Sequence, residues 1–375
     1  MSTKKLNILQ FICPTGFYGA ERWILALAKH LPADQVRCDL AITLEDNSKN
    51  LELVKKYKQE CGETFEIPMK HRFDLGVVNK LVELIKRRDI DIIHTHGYKS
   101  DILGVIAARK AGIKSVVTPH GFENAKDLKL RAFIWLGCKA MTFADIVAPL
   151  SPQLVKDSKN AGVKDSKIVY VQNGVDLSEV DSQKKKDNSL KSTGDARRIG
   201  FIGQMISRKN IFDILDVFDL LHKKYPDIRL ILLGDGDQRK KLEAHADKLD
   251  SNDHIDFLGF RDDRLELLQS FDLFVMTSTL EGIPRCLMEA CAMGTPVAAY
   301  NIAGIDQLIT HQESGLLANL GDKDTLLTYW EKLLYDSDYA KSLSGNAQQY
   351  VNTHYSAQRM ANEYFDLFSN MIKDD

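Results

Sequence analysis

Short apolar runs alternate with segments of helical periodicity along almost the whole chain, and this alternation limits the fold more than any other feature. In the first half, the apolar runs are 6–12, 38–44, 90–94 and 115–118, and the helical segments that follow them are 21–31, 51–59, 101–111 and 127–144. Alternating strands and helices predict a parallel sheet covered on both faces. Two more strands are expected at 146–150 and 168–171, and the helix between them should begin with Ser151 as N-cap and Pro152 in the first turn.

The alternation is interrupted once and then resumes. Residues 179–198 are almost without apolar side chains, which predicts an exposed linker or a long surface loop. Strand and helix patterns return from residue 199, in the segments 199–203, 210–224, 229–233, 237–249, 255–258, 265–271, 273–276, 285–293, 296–300, 304–309 and 315–318. The expected fold is therefore α/β, with doubly wound strand–helix domains at 1–178 and 199–355. An amphipathic tail helix at 356–375 has the apolar spacing to pack on either domain, including back on the first.

Composition excludes several classes of protein. The chain has 375 residues, of which 44% are hydrophobic, so it can bury a large core and is neither disordered nor collagenous. Its six cysteines contain no C-x-x-C pair, so neither a zinc site nor a disulfide framework is indicated. No stretch approaches the roughly 18 consecutive apolar residues of a spanning helix. We therefore expect a protein that stays in the cytoplasm.

Charge is unevenly divided between the two halves of the chain. Residues 1–178 contain 27 Lys+Arg against 20 Asp+Glu, and residues 179–375 contain 23 against 32. The halves thus carry about +7 and about −9. Two bodies with different partners are one interpretation, and a scatter of solvated surface charge is the other.

The most informative segment is 278–300, STLEGIPRCLMEACAMGTPVAAY. Glu281 follows a strand-like run, Gly282 lets the backbone approach a ligand closely, Pro284 suits a first helical turn and Gly294 suits a helix end. The sequence therefore predicts a helix whose N-terminus lies directly beyond a strand end.

Two carboxylates, Glu281 and Glu289, flank the start of this helix. The exposed amides of residues 282–286, which include Ile283, would form an anion site at a helix N-terminus. Carboxylates beside such a site make sense if they accept hydrogen bonds from hydroxyls, as on a sugar and a ribose. The alternative is a capping Glu281 and a solvated Glu289.

This segment resembles the donor-site signature of the retaining glycosyltransferases of family 4, E-G-x-P-x-x-x-x-E-A followed by x-G-x-P-V. The matching residues are Glu281, Gly282, Pro284, Glu289, Ala290, Gly294, Pro296 and Val297. The family has the GT-B architecture, in which two Rossmann-like domains face each other across a cleft. The resemblance covers nearly the whole chain and is closer after residue 195.

A second match, FIGQMISRKN, resembles the family's F-x-G-R-L-x-x-x-K-G loop. Gly203 would permit the turn, and Lys209 would place its ammonium group on the diphosphate of a nucleotide-sugar donor. The chain departs from the family with Gln204 where Arg is usual and Asn210 where Gly is usual. Arg208 is the candidate to replace the missing positive charge. The alternative is a basic loop that starts a helix.

Two glycine-containing turns give weaker matches. LILLGDG places Gly234 where the family bounds the nucleotide base, and Arg239 stands where a nicotinamide fingerprint needs glycine. Near the N-terminus, Gly19 belongs to a sequence resembling the family's G-G-A-E loop, with Tyr18 in place of the first Gly. That loop suits close approach to the donor or the acceptor, and an ordinary strand–helix turn is the alternative.

Histidines cluster in the first half. His120 lies in a match to the family's T-x-H-G segment, whose histidine faces the donor sugar from the other domain. His94 and His96 should share one face of a strand. The three histidines can imitate a metal site, but no ligand-spaced carboxylate accompanies them, so no metal is expected.

The resemblance implies a retaining glycosyltransferase that needs no metal and no cofactor. Its donor is expected to be a nucleotide-diphosphate sugar, most simply a UDP-hexose or UDP-N-acetylhexosamine. The acceptor is expected to be a glycan or a lipid-linked glycan in cell-surface polysaccharide synthesis, and no nucleic acid is expected. A GT-B sugar-nucleotide epimerase and a non-catalytic nucleotide-sugar-binding protein are the alternatives.

Each candidate residue has an expected role. Glu281 would hold the hydroxyls of the transferred sugar, Glu289 the ribose, and His120 would contact the sugar. Lys209 and Arg208, with the amides after Gly282, would stabilise charge on the diphosphate.

Residues 124–144 mix basic side chains with Trp and Phe. A basic amphipathic helix of this kind can lie on an anionic membrane, which would put the protein peripherally on the inner face of the cytoplasmic membrane. The alternative is a covering helix whose apolar side faces the sheet.

Overall fold

The structure is a computed structural model that describes residues 5–14, 17, 19–45, 51–70, 74–121, 128–186 and 196–373. The chain divides into two compact units. Unit 1 consists of Met1–Gly174 and Ala357–Asp375, and unit 2 consists of Val175–Ser356.

Unit 1 is a six-stranded parallel sheet covered by helices. Its strands are β1 Leu6–Ile12, β2 Val36–Leu44, β3 Thr64–Pro68, β4 Ile92–His96, β5 Lys114–Val117 and β6 Ile146–Val147. Its helices are α1 Gly19–His30, α2 Glu52–Glu60, α3 Gly76–Arg87, α4 Tyr98–Ala111, α5 Leu128–Phe143, α6 Pro152–Asn160 and, from the end of the chain, α14 Ala357–Lys373. The strand order is β3-β2-β1-β4-β5-β6. Because β1 is central, apolar side chains on both of its faces, such as Ile8 and Leu9, are fully buried.

Unit 2 repeats this plan. Its strands are β7 Arg197–Ile202, β8 Ile228–Leu233, β9 Ile255–Gly259, β10 Leu273–Met276, β11 Val297–Tyr300 and β12 Leu316–Ala318. Its helices are α7 Leu177–Lys184, α8 Ile211–Lys224, α9 Arg239–Ala246, α10 Arg264–Gln269, α11 Arg285–Met293, α12 Lys323–Tyr335 and α13 Ser337–His354. The strand order is β12-β11-β10-β7-β8-β9.

In each sheet the strand order reverses beside the first strand, between β1 and β4 in unit 1 and between β7 and β10 in unit 2. Ligands of doubly wound sheets bind outside the carboxyl ends of the strands at such a switch point. The prediction of an α/β fold with two Rossmann-like domains is confirmed.

The segment predicted as a linker, 179–198, differs in the structure. Residues 179–184 belong to α7, because the Asp176 carboxylate caps the helix by accepting from the Ser178 amide at 3.0 Å and Val180 is buried. Strand β7 already begins at Arg197. Residues 187–195 lie outside the described part of the chain.

Other elements also differ from the sequence prediction. Residues 168–171 form no strand, and only Ile168 makes an isolated bridge, to Val147. Strand β3 and helix α3 were not predicted, and β3 is an edge strand with a single buried residue, Ile67, so it lacks a clear alternating pattern.

Local capping signals were predicted correctly at α6. The Ser151 hydroxyl accepts from the Leu154 amide at 3.2 Å, and Pro152 is the first helical residue. Among the described helices, none is long and apolar enough to cross a membrane.

Candidate active site

Two loops meet at the switch point of unit 2. The loop after β7 carries Arg208 and Lys209, and the loop after β10 carries Glu281. Hydrogen bonds to the backbone tie them together, because the Thr279 amide donates to the Arg208 carbonyl at 2.8 Å and the Thr277 hydroxyl donates to the Lys209 carbonyl at 3.2 Å. The structure therefore brings together residues that are about 70 positions apart in the sequence.

A buried ion pair joins the two loops. The Lys209 ammonium group contacts Glu281 Oε1, and these side chains are only 8% and 6% exposed. Arg208 Nη1 lies 3.3 Å from Glu281 Oε2 and 3.1 Å from the Leu280 carbonyl oxygen. The Arg208 side chain is 44% exposed, unlike that of Lys209. Glu281 thus faces two cations at the edge of the sheet.

The departure from the family at Asn210 has a structural explanation. Asn210 has φ 48° and ψ 45°, in the left-handed region where glycine is usual and asparagine is tolerated. Its side chain donates to Asp213 Oδ2 at 2.7 Å. Asparagine therefore meets the backbone requirement of the family's glycine.

The predicted glycines have different structural roles. Gly234 has φ +129°, and a Cβ there would collide with the Gly203 carbonyl, so this glycine lets the loops after β7 and β8 approach each other. A Cβ at Gly282 would meet nothing within 4 Å among the described residues, whereas one at Gly304 would collide with the Gly282 carbonyl. Open space beside the Gly282 α-carbon is what close approach of a ligand requires.

Helix α11 has the predicted bounds. It runs from Arg285 to Met293, and Gly294, with φ +82°, is its C-cap. Pro284 is the N-cap, with extended backbone, and not a residue of the first turn as predicted. Ile283, the residue before Pro284, is buried. The positive end of the α11 dipole therefore lies a few residues beyond Glu281.

Glu289, on the second turn of α11, is 2% exposed and paired with two arginines. Arg264 Nη2 lies 3.0 Å and Arg285 Nε lies 2.8 Å from its Oε1. Burial raises the pKa of Glu289, but Arg264 and Arg285 outweigh it and lower the pKa to about 2. Glu289 is therefore ionised and almost fully buried, which excludes the alternative of a solvated surface residue.

The cluster around Glu289 extends to α7. Glu179 Oε2 lies 2.8 Å from Arg264 Nη2 and 3.6 Å from Arg285 Nη2. Burial lowers the pKa of Arg264, but Glu289 and Glu179 outweigh it and raise the pKa above its usual value. None of Glu179, Arg264 and Arg285 was predicted as a site residue. Only Arg285 had a sequence signal, its i,i+4 spacing to Glu289.

Unit 1 places the three histidines close together at the carboxyl edge of its sheet. The His94 and His96 ring centroids are 4.3 Å apart, and His96 Nδ1 lies 3.2 Å from His120 Nε2. Burial lowers the pKa of His120 to about 4 and holds the pKa values of His94 and His96 well below their usual range. All three rings are therefore neutral at neutral pH.

The rings make separate contacts instead of converging on one point. His94 Nε2 lies 2.8 Å from the Thr118 hydroxyl, and His96 Nε2 lies 2.7 Å from Gln10 Oε1, a residue that was not predicted. Within the described ranges, no group of three His, Cys, Asp or Glu side chains is arranged to hold a metal ion.

Gly19 is the first residue of α1, at the same edge of the sheet, and a Cβ there would meet nothing within 4 Å among the described residues. Tyr18, which precedes it, lies outside the described residues.

Two protein-family models match the chain. The model for Glycosyltransferase Family 4 matches residues 17–179, and the model for Glycosyl transferases group 1 matches residues 182–350. The two matches are adjacent and together cover most of unit 1 and unit 2.

Curated relatives are similar over most of their length. The N-acetyl-alpha-D-glucosaminyl L-malate synthase of Bacillus anthracis is 25% identical over 313 residues, which are 81% of each chain. The UDP-Gal:alpha-D-GlcNAc-diphosphoundecaprenol alpha-1,3-galactosyltransferase of Escherichia coli is 27% identical over 319 residues, which are 80% of each chain.

Solved structures show the same fold. The crystal structure of Anabaena HepE in complex with UDP and glucose superposes with a TM-score of 0.82 at 21% identity, and the match covers 97% of this chain and 100% of HepE. The family matches, the named relatives and the fold agree with the signature residues at 281–297. The chain belongs to glycosyltransferase family 4 and is a glycosyltransferase with the two Rossmann-like domains of the GT-B fold.

Proposed function

We propose that this glycosyltransferase moves a hexose or an N-acetylhexosamine from UDP to a glycan or lipid-linked glycan, with retention of configuration, in cell-surface polysaccharide synthesis. Two comparisons support this proposal. The E. coli relative is named for a UDP-galactose donor and a diphosphoundecaprenol-linked acceptor, and HepE was solved with UDP and glucose.

The Lys209–Glu281 pair is the observation that carries the proposal. A buried carboxylate and ammonium group neutralise each other in the free enzyme, because an unpaired charge at this depth would be costly. A bound diphosphate would compete with Glu281 for Lys209. It would provide the negative charge that Glu281 provides in the free enzyme. Glu281 would then be available to accept hydrogen bonds from the sugar's hydroxyls.

The reaction needs negative charge stabilised on the leaving diphosphate. We assign this role to Lys209, Arg208 and the amides after Gly282, which lie at the positive end of α11. The acceptor hydroxyl would attack the anomeric carbon from the face that the diphosphate leaves. The bond from that carbon to the phosphate oxygen breaks, and the same oxygen takes the acceptor's proton.

We assign Glu289 to the hydroxyls of the ribose. Its Oε2 has one hydrogen-bond partner among the described residues, Arg264 Nε at 3.3 Å, so it retains acceptor capacity. His120, at the carboxyl edge of the unit 1 sheet, is assigned to the transferred sugar.

We further propose that unit 1 contacts an anionic membrane through α5. Trp135, Leu136 and Phe143 are large apolar residues exposed on this helix, and Arg131 and Lys139 are exposed beside them. The side of α5 that faces inward carries Gly137 and Met141 instead. We call the five exposed residues the α5 patch. Its aromatic and basic side chains match a surface of anionic lipid.

Acceptor-dependent release of UDP tests the proposed function. Purified protein is incubated with labelled UDP-hexoses and UDP-N-acetylhexosamines, with and without glycan and lipid-linked acceptors, in the presence and absence of EDTA. We expect product only with an acceptor, an anomeric configuration equal to that of the donor, and no effect of EDTA. Conversion of the donor without acceptor would identify an epimerase. Activity lost with EDTA and restored by a divalent metal would contradict the metal-independent mechanism.

A further inference from the structure

A series of hydrogen bonds leads from the buried middle of the unit 1 sheet to His120. Gln10 is fully buried on β1, and its Oε1 lies 2.7 Å from His96 Nε2. His96 Nδ1 in turn lies 3.2 Å from His120 Nε2. Of these three hydrogen-bonded residues, only His120 has a role in the proposed function.

The hydrogen-bonding properties of each group determine which atom donates and which accepts in the series Gln10–His96–His120. An amide oxygen only accepts, so His96 Nε2 must carry the proton and donate to Gln10. A neutral imidazole carries one N–H, so His96 Nδ1 is unprotonated and accepts. His120 Nε2 is therefore the donor, and a neutral His120 has its lone pair on Nδ1.

The orientation of the Gln10 amide follows from its two contacts. At 2.7 Å, the contact with His96 Nε2 suits an oxygen acceptor better than a nitrogen. The other end of the amide lies 3.6 Å from Cys38 Sγ, a distance typical of an N–H donor and a sulfur acceptor. The amide NH₂ therefore faces the sulfur, and the oxygen faces the histidine.

Packing and burial keep the rings in this state. The Trp23 ring lies 5.2 Å from His120 and 5.3 Å from His96 between centroids, which restricts rotation of both imidazoles. Burial lowers the pKa of His96 well below its usual range and that of His120 to about 4. Neither ring is therefore a cation at neutral pH.

We propose that Gln10 and His96 are positioning residues that hold His120 as its neutral Nε2–H tautomer, so that Nδ1 accepts a hydrogen bond from a hydroxyl of the transferred sugar. Within the described residues, His120 Nδ1 has no hydrogen-bond partner. The contact with the sugar rests on the proposed function, whereas the tautomer does not.

Nuclear magnetic resonance of the full-length protein labelled with ring-¹⁵N histidine tests the tautomer without any substrate. Long-range ¹H–¹⁵N correlations distinguish a protonated ring nitrogen from an unprotonated one, and the spectrum of His120→Ala assigns the His120 signals. We expect His96 and His120 both to be protonated at Nε2 and not at Nδ1. A His120 protonated at Nδ1, or a mixture of the two tautomers, would overturn the proposal.

Two substitutions at Gln10 separate positioning from simple packing. Gln10→Met keeps the size of the side chain but removes the acceptor, so His120 should become a mixture of tautomers and kcat/KM should fall about tenfold, the scale of one hydrogen bond. Gln10→Glu keeps an acceptor and should keep the Nε2–H tautomer of His120. The control variant is Gln35→Met, at an exposed position of the same unit. The control signals are those of His245, which lies in unit 2 and should not change. An unchanged His120 tautomer in Gln10→Met would overturn the positioning role.

Donor analogues test the contact with the sugar separately. We compare UDP-sugars in which single hydroxyls are replaced by hydrogen or by fluorine, because neither replacement can donate a hydrogen bond. At one hydroxyl position, both replacements should lower the kcat/KM of the parent protein by the same factor. In His120→Ala, the same replacements should not lower kcat/KM any further. If the NMR spectrum shows the Nε2–H tautomer but no hydroxyl position behaves in this way, the sugar contact assigned to His120 is overturned and the tautomer stands.

Discussion

At the scale of the residue, the candidate donor site is defined by two buried carboxylates, and each is paired with two cations. Glu281 faces Lys209 and Arg208, and Glu289 faces Arg264 and Arg285. A neutral replacement of similar shape removes the charge of one member of a buried pair and keeps its packing, so it is the informative change. Such replacements distinguish the two carboxylates by what each is proposed to bind.

Glu281→Gln should abolish most of the transfer but preserve UDP binding. The carboxylate is assigned to the sugar, so kcat should fall by about 100-fold or more, the scale of one preorganised group in an active site. UDP affinity should not fall, because Lys209 remains and the carboxylate that competes with the diphosphate for it is gone. Activity assays and calorimetry with UDP measure the two effects. The control is Glu331→Gln, which removes a carboxylate from a surface pair with Lys224. A variant that turns over like the parent would show that Glu281 is not in the site.

Lys209→Met should weaken both UDP binding and transfer. Losing a cation at the point where diphosphate charge develops should cost about 2 kcal/mol or more in transition-state stabilisation, read from kcat/KM. Arg208→Met addresses the missing family arginine, because Arg208 also contacts Glu281 and is more exposed. We expect a smaller loss for Arg208. Full activity of Arg208→Met would show that it does not replace the usual arginine.

At the scale of the element, α11 is joined to α7 and α10 by charged side chains. Glu179 of α7, Arg264 of α10 and Glu289 of α11 form a continuous series of contacts at 2.8–3.0 Å. These three helices surround a carboxylate with a low pKa, so their packing depends on the ionisation of Glu289.

Arg264→Met should destabilise unit 2 by about 3 kcal/mol, the low end for breaking a buried ion pair, because Glu289 loses Arg264 but keeps Arg285. The matched control is Arg261→Met, which removes an exposed arginine paired with Asp263 and should change stability by about 0.5 kcal/mol or less. Urea unfolding followed by fluorescence measures both free energies of unfolding. Equal effects of the two substitutions would contradict the role of the cluster.

The same cluster predicts an acid dependence of stability. The pKa of Glu289 is lowered from 4.5 to about 2 in the folded state. The ionised carboxylate therefore contributes about 3 kcal/mol to the free energy of unfolding, and this contribution is fully present above pH about 4.5. The contribution is lost as the pH falls from about 4.5 towards 2. In Glu289→Gln, the free energy of unfolding should therefore depend less steeply on pH over this range. An identical slope in the parent and the variant would contradict the low pKa.

Local features of these elements could be predicted from the sequence, and long-range pairings could not. The start of α6 follows from Ser151 and Pro152, and the end of α11 from Gly294, because caps depend on adjacent residues. The sequence predicts a linker where residues 179–184 form most of α7, because only Val180 is buried in this helix and Glu179 is held by Arg264, 85 positions away. Gln10 and His96 are 86 positions apart, so their contact exists only once β1 and β4 pair.

At the scale of the whole molecule, two units with the same strand order present different chemistry at equivalent edges. Unit 1 has neutral histidine rings there, and unit 2 has buried ion pairs. Because the first half of the chain carries the excess of basic residues, an anionic partner would be attracted to unit 1. The α5 patch is where we expect that partner to be an anionic lipid surface.

Trp135 provides a direct readout of membrane contact. It is 59% exposed, whereas the other two tryptophans, Trp23 and Trp330, are buried, so a blue shift of fluorescence on mixing with vesicles would report on α5 alone. We expect binding to vesicles that contain anionic lipid, weak binding to neutral vesicles, and a loss of binding as salt screens the basic residues. Phe143→Ser should weaken binding, whereas Leu220→Ser, at an exposed apolar residue of unit 2, should not. No sedimentation with anionic vesicles at low salt would falsify the membrane proposal and leave the transferase activity unaffected.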